Sequence, residues 1–218
     1  MTTPNTKQAL IAGATGLVGS HLLQQLLSDP RYSVIHLVGR RAPQITNPKI
    51  VFHPCNFSNI ETLPLLDIQE VFCALGTTIK KAGTKEKFRE VDFDAVVNLA
   101  RYAALTGCDH FVVVSSVGAT PRSRNFYLRT KGQMEQRLKN SGLQNLSIVR
   151  PSLLIGKRQE FRLAEKMGEW LFKPLAFLLR GKLAKYRPIE AAHLAQTMIR
   201  LAQNRIGDTF IVEGDGLR

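Results

Sequence analysis

The chain has 218 residues, of which 44% are hydrophobic, and 30 lysines and arginines against 17 aspartates and glutamates give it a net charge of +13. This length suits one α/β domain with a full core, so we expect a single domain over residues 1–218. Residues 1–6 lack the apolar core of a secretory signal, and no apolar run is long enough to cross a bilayer. Three cysteines without C-x-x-C spacing, and histidines without ligand spacing, argue against a disulfide framework or a metal site.

The first predicted strand, residues 8–12, runs into a glycine-rich turn and then into a helical pattern over residues 17–27. The glycines of this Gly-x-x-Gly-x-x-Gly turn are Gly13, Gly16 and Gly19. Such spacing lets the backbone turn tightly and approach a ligand, while the helix N-terminus presents free N–H groups to phosphates. A strand before and a helix after are the context that the motif requires. We therefore predict a dinucleotide site here, rather than a glycine-rich turn without a ligand.

The second predicted strand, residues 33–38, ends next to two arginines. Arg40 lies 21 positions after Gly19, and Arg41 follows it. NAD-selective folds place an acid near this point for the ribose 2′-hydroxyl, whereas an arginine accommodates the 2′-phosphate of NADP. A guanidinium engages a phosphate through two donors and keeps its charge at any working pH. The pair favours NADP(H), although two solvated arginines at a strand end would look the same.

Five more apolar strands are predicted near residues 49–53, 70–74, 110–115, 146–150 and 209–212. They alternate with helical stretches, which is typical of a doubly wound parallel sheet covered on both faces. The longest helical stretch runs from about Lys85 to Thr106. Its apolar residues at helical spacing are Val91, Ala95, Val96, Leu99 and Ala103. We expect this stripe to pack in the core and not to bind a ligand.

Candidate catalytic residues follow the fifth predicted strand. Tyr127 lies 11 positions after Ser116, and Lys131 lies one helical turn beyond the tyrosine. Tyrosine and lysine at i and i+4 share one helix face, and a neighbouring cation lowers the pKa of a phenol and suits it to proton transfer. A serine hydroxyl at the strand end can hydrogen-bond the same substrate oxygen. A lone Tyr-x-x-x-Lys is usually a surface pair, but after a Ser-Ser strand end and a glycine-rich turn it predicts catalysis.

Residues 151–208 are expected to form a small C-terminal substrate cap. Within them, residues 161–187 interleave apolar and basic side chains around Pro174. We expect this segment to cover the substrate cleft. The alternative is an amphipathic segment resting on an anionic membrane or on a partner.

These features resemble the short-chain dehydrogenase/reductase superfamily in its atypical, NAD(P)-binding Rossmann branch. More closely, the chain resembles the Tat-interacting-protein-type oxidoreductases and their bacterial relatives. The closer match rests on residues 75–78, 81–83, 91–92, 114–116, 118–119, 125–128, 131–132, 150–160 and 162. The resemblance covers nearly the whole chain, with the motifs in the family's order.

The resemblance implies a role for each matching residue. The residues around the pyrophosphate would be Thr15, Gly16, Leu17 and Val18. Those holding the rest of the cofactor would be Arg40 and Arg41 at the 2′-phosphate, Leu75 and Gly76 at the adenosine half, and Leu154 and Arg162 closing over it. Tyr127 would act as the general acid, and Lys131 would bond the nicotinamide ribose. In the mechanism that we expect, Ser116 orients the substrate, as its place at the strand end suggests.

Two positions depart from the wider superfamily pattern. Asn56 stands where an aspartate commonly contacts the adenine, and an amide can still donate and accept a hydrogen bond there. Asp92 stands where an asparagine completes the active-site tetrad in much of the superfamily. That substitution leaves open how a proton relay continues beyond Lys131.

The functional hypothesis is an NADPH-dependent oxidoreductase that acts on a small carbonyl substrate in the cytoplasm. Its alternatives are a non-catalytic NADP(H)-binding regulator and a nucleotide-sugar epimerase, and the small cap weakens the latter. The basic charge admits an anionic cofactor, an acidic protein partner, a membrane surface or nucleic acid. Nucleic acid is not favoured, because no nucleic-acid-binding motif is present. Peripheral membrane contact remains open but is not favoured over a cap.

Overall fold

A computed structural model of the chain describes residues 6–156, 187–204 and 207–217. Its strands are β1 (Lys7–Ala12), β2 (Tyr32–Gly39), β3 (Ile50–Pro54), β4 (Glu70–Cys73), β5 (His110–Val114), β6 (Leu146–Arg150), β7 (Leu154–Ile155), β8 (Ile189–Glu190) and β9 (Thr209–Glu213). Its α-helices are α1 (Leu17–Ser28), α2 (Ile79–Ala82), α3 (Lys85–Arg89), α4 (Ala95–Leu105), α5 (Phe126–Lys139) and α6 (Ala191–Ala202). A π-helical turn, Glu90–Asp94, joins α3 to α4, and short 3₁₀ helices span Phe57–Thr62 and Gly214–Leu217.

Seven strands form one sheet in the order β3-β2-β1-β4-β5-β6-β9. Every neighbouring pair in this sheet is parallel. The strand order reverses between β1 and β4, so the loops after these two strands leave the sheet at a topological switch point. Ligands of open α/β sheets bind in the crevice at the carboxyl ends of the strands at such a point.

Hydrophobic clusters cover both faces of the sheet. One face packs against α1 and α6, with Leu22, Leu26 and Met198 buried among strand residues. The other packs against α4 and α5, where Leu99 and Met134 are buried. Apolar strands buried on both faces account for the near-continuous apolar runs in the sequence.

The structure confirms the doubly wound parallel sheet and all seven of its predicted strands. Two local predictions were wrong, and one pair of strands was missed. The helix over 85–106 is not continuous, because the π-helical turn interrupts it. The fifth strand ends at Val114, so the two following serines lie in a loop. The small parallel pair of β7 and β8 was not predicted, because two-residue strands leave no periodic signal. Most of the expected cap, including all but the last residue of segment 161–187, lies outside the described residues.

The three cysteines are free and buried, so each behaves as a small apolar residue in the core. Over the ranges given above, no helix is long and apolar enough to cross a membrane.

Candidate cofactor and catalytic site

The loop after β1 has a shape that only glycines permit. Gly13 has a positive φ of 89°, and a Cβ on it would lie 2.7 Å from the Ala74 carbonyl oxygen. A Cβ on Gly19 would lie 2.0 Å from the Gly13 carbonyl oxygen. The first glycine therefore lets the loop pass against the end of β4, and the third lets α1 pack on the loop. Gly16 closes the turn through its N–H, which donates to the Gly13 carbonyl oxygen at 2.9 Å.

The N-terminus of α1 is left open to an anion. Gly16 is the N-cap and supplies no side chain to cap the helix, and no acidic residue lies in the first turn. Thr15 is exposed beside it, and Leu17 and Val18 begin the helix. Uncapped N–H groups and the positive end of the helix dipole favour a phosphate here. These residues therefore fit the pyrophosphate of a dinucleotide.

Two further segments border this loop. Leu75 and Gly76 follow β4 directly and lie in the loop that Gly13 approaches, where Gly76 is exposed. After β7, which contains Leu154, the chain passes over the start of α1, and a Cβ on Gly156 would lie 2.8 Å from the Leu17 Cδ1 atom. The structure thus brings the Leu154 segment to the glycine-rich loop. Arg162 lies outside the described residues.

Arg40 and Arg41 follow β2 at the same edge of the sheet, and both are exposed. Neither guanidinium hydrogen-bonds or ion-pairs with the described part of the chain. Asn56 is exposed after β3, and its Oδ1 accepts the Ser58 N–H at 3.4 Å, which caps a short 3₁₀ helix.

Tyr127 and Lys131 lie on the first turns of α5. Asn125 caps this helix, with its side chain accepting the Leu128 N–H at 3.2 Å. Tyr127 is half-buried, and its ring lies 5.7 Å from the ring of the buried Phe88 on α3. This aromatic contact packs one side of the tyrosine ring, and the residue as a whole is partly exposed.

Lys131 is buried and ion-paired. Its Nζ lies 2.8 Å from Asp92 Oδ1, and the two side chains are 4% and 1% exposed. The same ammonium donates to the Val114 carbonyl oxygen at 3.4 Å. Burial is the largest single effect and lowers the pKa of Lys131, but the charge and hydrogen bond of Asp92, together with smaller contributions from Tyr127 and Cys73, outweigh it, so the pKa lies above its usual value. Lys131 is therefore a fixed cation beside the tyrosine.

A second buried carboxylate, which the sequence did not indicate, lies one turn further along α5. Glu135 accepts a hydrogen bond from the Ser115 hydroxyl. It also forms a bidentate ion pair with Arg150, in which Arg150 Nε lies 2.9 Å from Glu135 Oε1. This network ties α5 to β6 and to the loop after β5. Ser116, the next residue after Ser115, is partly exposed, and among the described residues its hydroxyl contacts the Val117 carbonyl oxygen at 3.4 Å.

A close backbone contact sets how near α5 comes to that loop. A Cβ on Gly132 would lie 2.1 Å from the carbonyl carbon of Thr120. Any larger residue would push the helix away, and Tyr127 and Lys131 with it.

The comparisons with known proteins agree with this geometry. The NAD(P)H-binding domain family matches residues 13–205. Protein HTATIP2 from Rattus norvegicus is 36% identical over 177 residues, which cover 76% of this chain and 68% of that protein. Protein FMP52, mitochondrial, from Coccidioides immitis is 35% identical over 187 residues, covering 75% of each chain. The chain belongs to the NAD(P)H-binding family.

Solved structures show the same fold. MoeE5 in complex with UDP-glucose and NAD matches with a TM-score of 0.71 and 17% identity, over 96% of this chain and 79% of that one. The UDP-glucose 4-epimerase of Thermotoga maritima matches with a TM-score of 0.70 and 15% identity, over 94% and 76%. At such identity the likeness establishes the Rossmann fold alone.

The relatives correct one prediction. A cytoplasmic location is contradicted, because fungal relatives from Coccidioides immitis, Scheffersomyces stipitis and Candida albicans carry a mitochondrial designation in their names. A chain without a secretory signal or a long apolar run can still be sent to an organelle, so those sequence features do not decide location.

Proposed function

We propose that the protein is an NADPH-dependent oxidoreductase that reduces a carbonyl group. The observation that carries the proposal is the half-exposed Tyr127 beside the buried, charged Lys131, at the sheet edge where the glycine-rich loop lies. When bound, NADPH supplies the hydride. Tyr127 donates a proton to the carbonyl oxygen, Ser116 hydrogen-bonds the same oxygen, and Lys131 supports the phenol electrostatically and bonds the nicotinamide ribose.

Tyr127→Phe tests the chemistry. The substitution keeps the ring against Phe88 but removes the proton, so we expect NADPH affinity to stay within about threefold while turnover falls at least about a hundredfold. Turnover is followed as loss of reduced cofactor over a panel of aldehydes, ketones and quinones, with UDP-glucose epimerisation measured in parallel. Tyr102→Phe is a matched control, because that phenol donates to the Pro64 carbonyl oxygen elsewhere in the fold.

Three results would contradict the proposal. Unchanged turnover in Tyr127→Phe would remove the tyrosine from the mechanism. Tight NADPH binding without turnover of any compound would favour a cofactor-binding regulator. Epimerisation without net reduction would favour the nucleotide-sugar reaction of the structural neighbours.

The choice of NADPH over NADH rests on Arg40 and Arg41, two exposed guanidinium groups without an acid beside them. We expect NADPH to bind at least about tenfold more tightly than NADH, a difference of about 1.4 kcal/mol. Arg40→Ala with Arg41→Ala should erase most of this preference by weakening NADPH alone. Nicotinamide fluorescence titrations measure all four affinities, with Arg101→Ala on α4 as the control. Equal affinities in the unmodified protein would exclude the assignment.

A further inference from the structure

Asp92 joins two parts of the candidate site that are far apart in sequence. Its Oδ1 pairs with Lys131 on α5 at 2.8 Å, and its Oδ2 accepts the Thr77 N–H at 2.8 Å. Thr77 follows Leu75 and Gly76 in the loop after β4. One buried carboxylate therefore contacts both the candidate catalytic lysine and the loop assigned to the adenosine half of the cofactor.

The helix that carries Asp92 is locally altered around it. The π-helical turn Glu90–Asp94 interrupts what is otherwise α-helix. Single π turns inside α-helices occur frequently at functional sites, because the extra residue re-aims a side chain. Arg89 holds this turn against α5, since its Nη1 donates to Gln133 Oε1 at 2.8 Å while its guanidinium stacks on Phe93 at 4.0 Å. The turn and α5 are thus joined by the Arg89–Gln133 hydrogen bond and by the Asp92–Lys131 ion pair.

The surroundings of Lys131 make Asp92 its only anionic partner among the described residues. The other titratable groups near the ammonium are Tyr127 on the same helix and Cys73 on β4. Burial raises the pKa of the Cys73 thiol to about 12, so it stays neutral at working pH. Glu135, on the next turn of α5, is engaged by Arg150 and Ser115. A buried ammonium with no counter-charge loses its proton readily.

We propose that Asp92 is a positioning residue that keeps Lys131 charged and fixes it relative to the loop after β4. The inference rests on the proposed function, in which Lys131 must be an ammonium both to bond the cofactor ribose and to support Tyr127. In this proposal the π-helical turn does more than pack against α5. By placing Asp92 beside Lys131, it makes cofactor binding and turnover insensitive to pH in the alkaline range.

Asp92→Asn separates the two contacts of the carboxylate. The amide oxygen still accepts the Thr77 N–H, but the negative charge is gone. We expect NADPH affinity to be near the wild-type value at pH 6.5 and to weaken at least about tenfold by pH 9.5, as Lys131 deprotonates. The wild-type protein should show less than about a twofold change over the same range. For any carbonyl compound turned over, kcat should lose its alkaline plateau at least about one pH unit earlier.

Two variants serve as controls for this experiment. Glu90→Gln removes the same charge from an exposed position of the same turn and should keep the wild-type pH profile. Asp92→Glu restores the charge and should restore a flat profile, even if the longer side chain lowers kcat. A loss of affinity in Asp92→Asn that is equal at every pH would show a merely structural role and would overturn the proposal.

The NADPH titration does not depend on finding a substrate, so this inference and the proposed function can fail separately. If no compound is turned over but the NADPH affinity of Asp92→Asn depends on pH, the oxidoreductase proposal is wrong and the positioning role of Asp92 stands. If Asp92→Asn does not fold, the wild-type titration still decides the matter. A wild-type affinity that collapses between pH 7 and pH 9 would mean that Asp92 does not hold the lysine charged.

Discussion

The two edges of the sheet each carry a tyrosine, a lysine and a buried carboxylate, but with opposite exposure. At the amino edge, the Glu70 carboxylate is fully buried, accepts a hydrogen bond from the buried Tyr32 and pairs with Lys7, whose side chain is 35% exposed. At the carboxyl edge the lysine is buried with its carboxylate, and Tyr127 is the partly exposed residue.

This difference distinguishes the amino-edge cluster, which stabilises the fold, from the carboxyl-edge cluster, which belongs to the candidate site. Burial, together with the negative charge of Glu70, raises the pKa of Tyr32, so its proton is held between β1, β2 and β4 and cannot reach a ligand. At the other edge the charged neighbour of the tyrosine is the Lys131 cation, and the tyrosine is partly exposed. A tyrosine, a lysine and a carboxylate stabilise the fold in one arrangement, and in the other they form the site that we propose for proton transfer.

Breaking the amino-edge cluster should affect stability and not the site. Glu70→Ala removes the acceptor of a buried phenol and the partner of Lys7, and we expect about 3 kcal/mol of destabilisation in urea unfolding. NADPH affinity of the folded protein should stay within about twofold, because the two edges lie at opposite ends of the strands. Tyr127→Phe should show the opposite pattern: turnover is lost, while the free energy of unfolding changes by less than about 1 kcal/mol. A large loss of NADPH affinity in folded Glu70→Ala would show that the amino-edge cluster also supports cofactor binding and would contradict this distinction between the two clusters.

A smaller effect should appear as pH dependence at the same amino edge. His110 is the first residue of β5 and lies beside Glu70 of β4. Burial, and to a smaller extent the positive charge of Lys7, lower the pKa of His110 to about 4. The unfolded chain binds this proton near pH 6.5 and the folded chain only near pH 4, so stability is full above about pH 6.5 and falls as pH drops toward 4. We expect this residue to account for about 2 kcal/mol of loss between pH 7 and pH 5.

Urea unfolding of wild-type and His110→Gln proteins at both pH values measures that share. Because other groups titrate in the same range, the informative quantity is the difference between the two proteins. His36 and His53 also have lowered pKa values through burial and remain in both proteins. An equal loss in both proteins would show that His110 does not sense pH.

Much of the fold could be predicted because its signals are local. Parallel strands are short apolar runs, and the glycine-rich loop and the Tyr127–Lys131 pair are defined by spacings of three and four residues. Each depends on backbone geometry within one or two turns, which the sequence records directly.

The rest of the candidate site depends on contacts between residues distant in the chain. Asp92 and Lys131 are 39 positions apart, and Glu135 meets Ser115 and Arg150 from different elements. Nothing in the periodicity of residues 85–106 indicates a π-helical turn, because that turn depends on packing against α5. The resemblance drew attention to Asp92 but left its role open.

By itself, therefore, the sequence determined the Rossmann sheet, the dinucleotide loop and the spacing of the tyrosine and lysine. The tertiary structure alone decided which of two similar clusters holds a buried tyrosine and which holds a buried lysine. Each cluster has a tyrosine, a lysine and a carboxylate, and only the three-dimensional arrangement sets whether water or a counter-ion meets each charge. Since a charge costs most where it is buried and unpaired, that arrangement also sets which lysine must be held by a carboxylate.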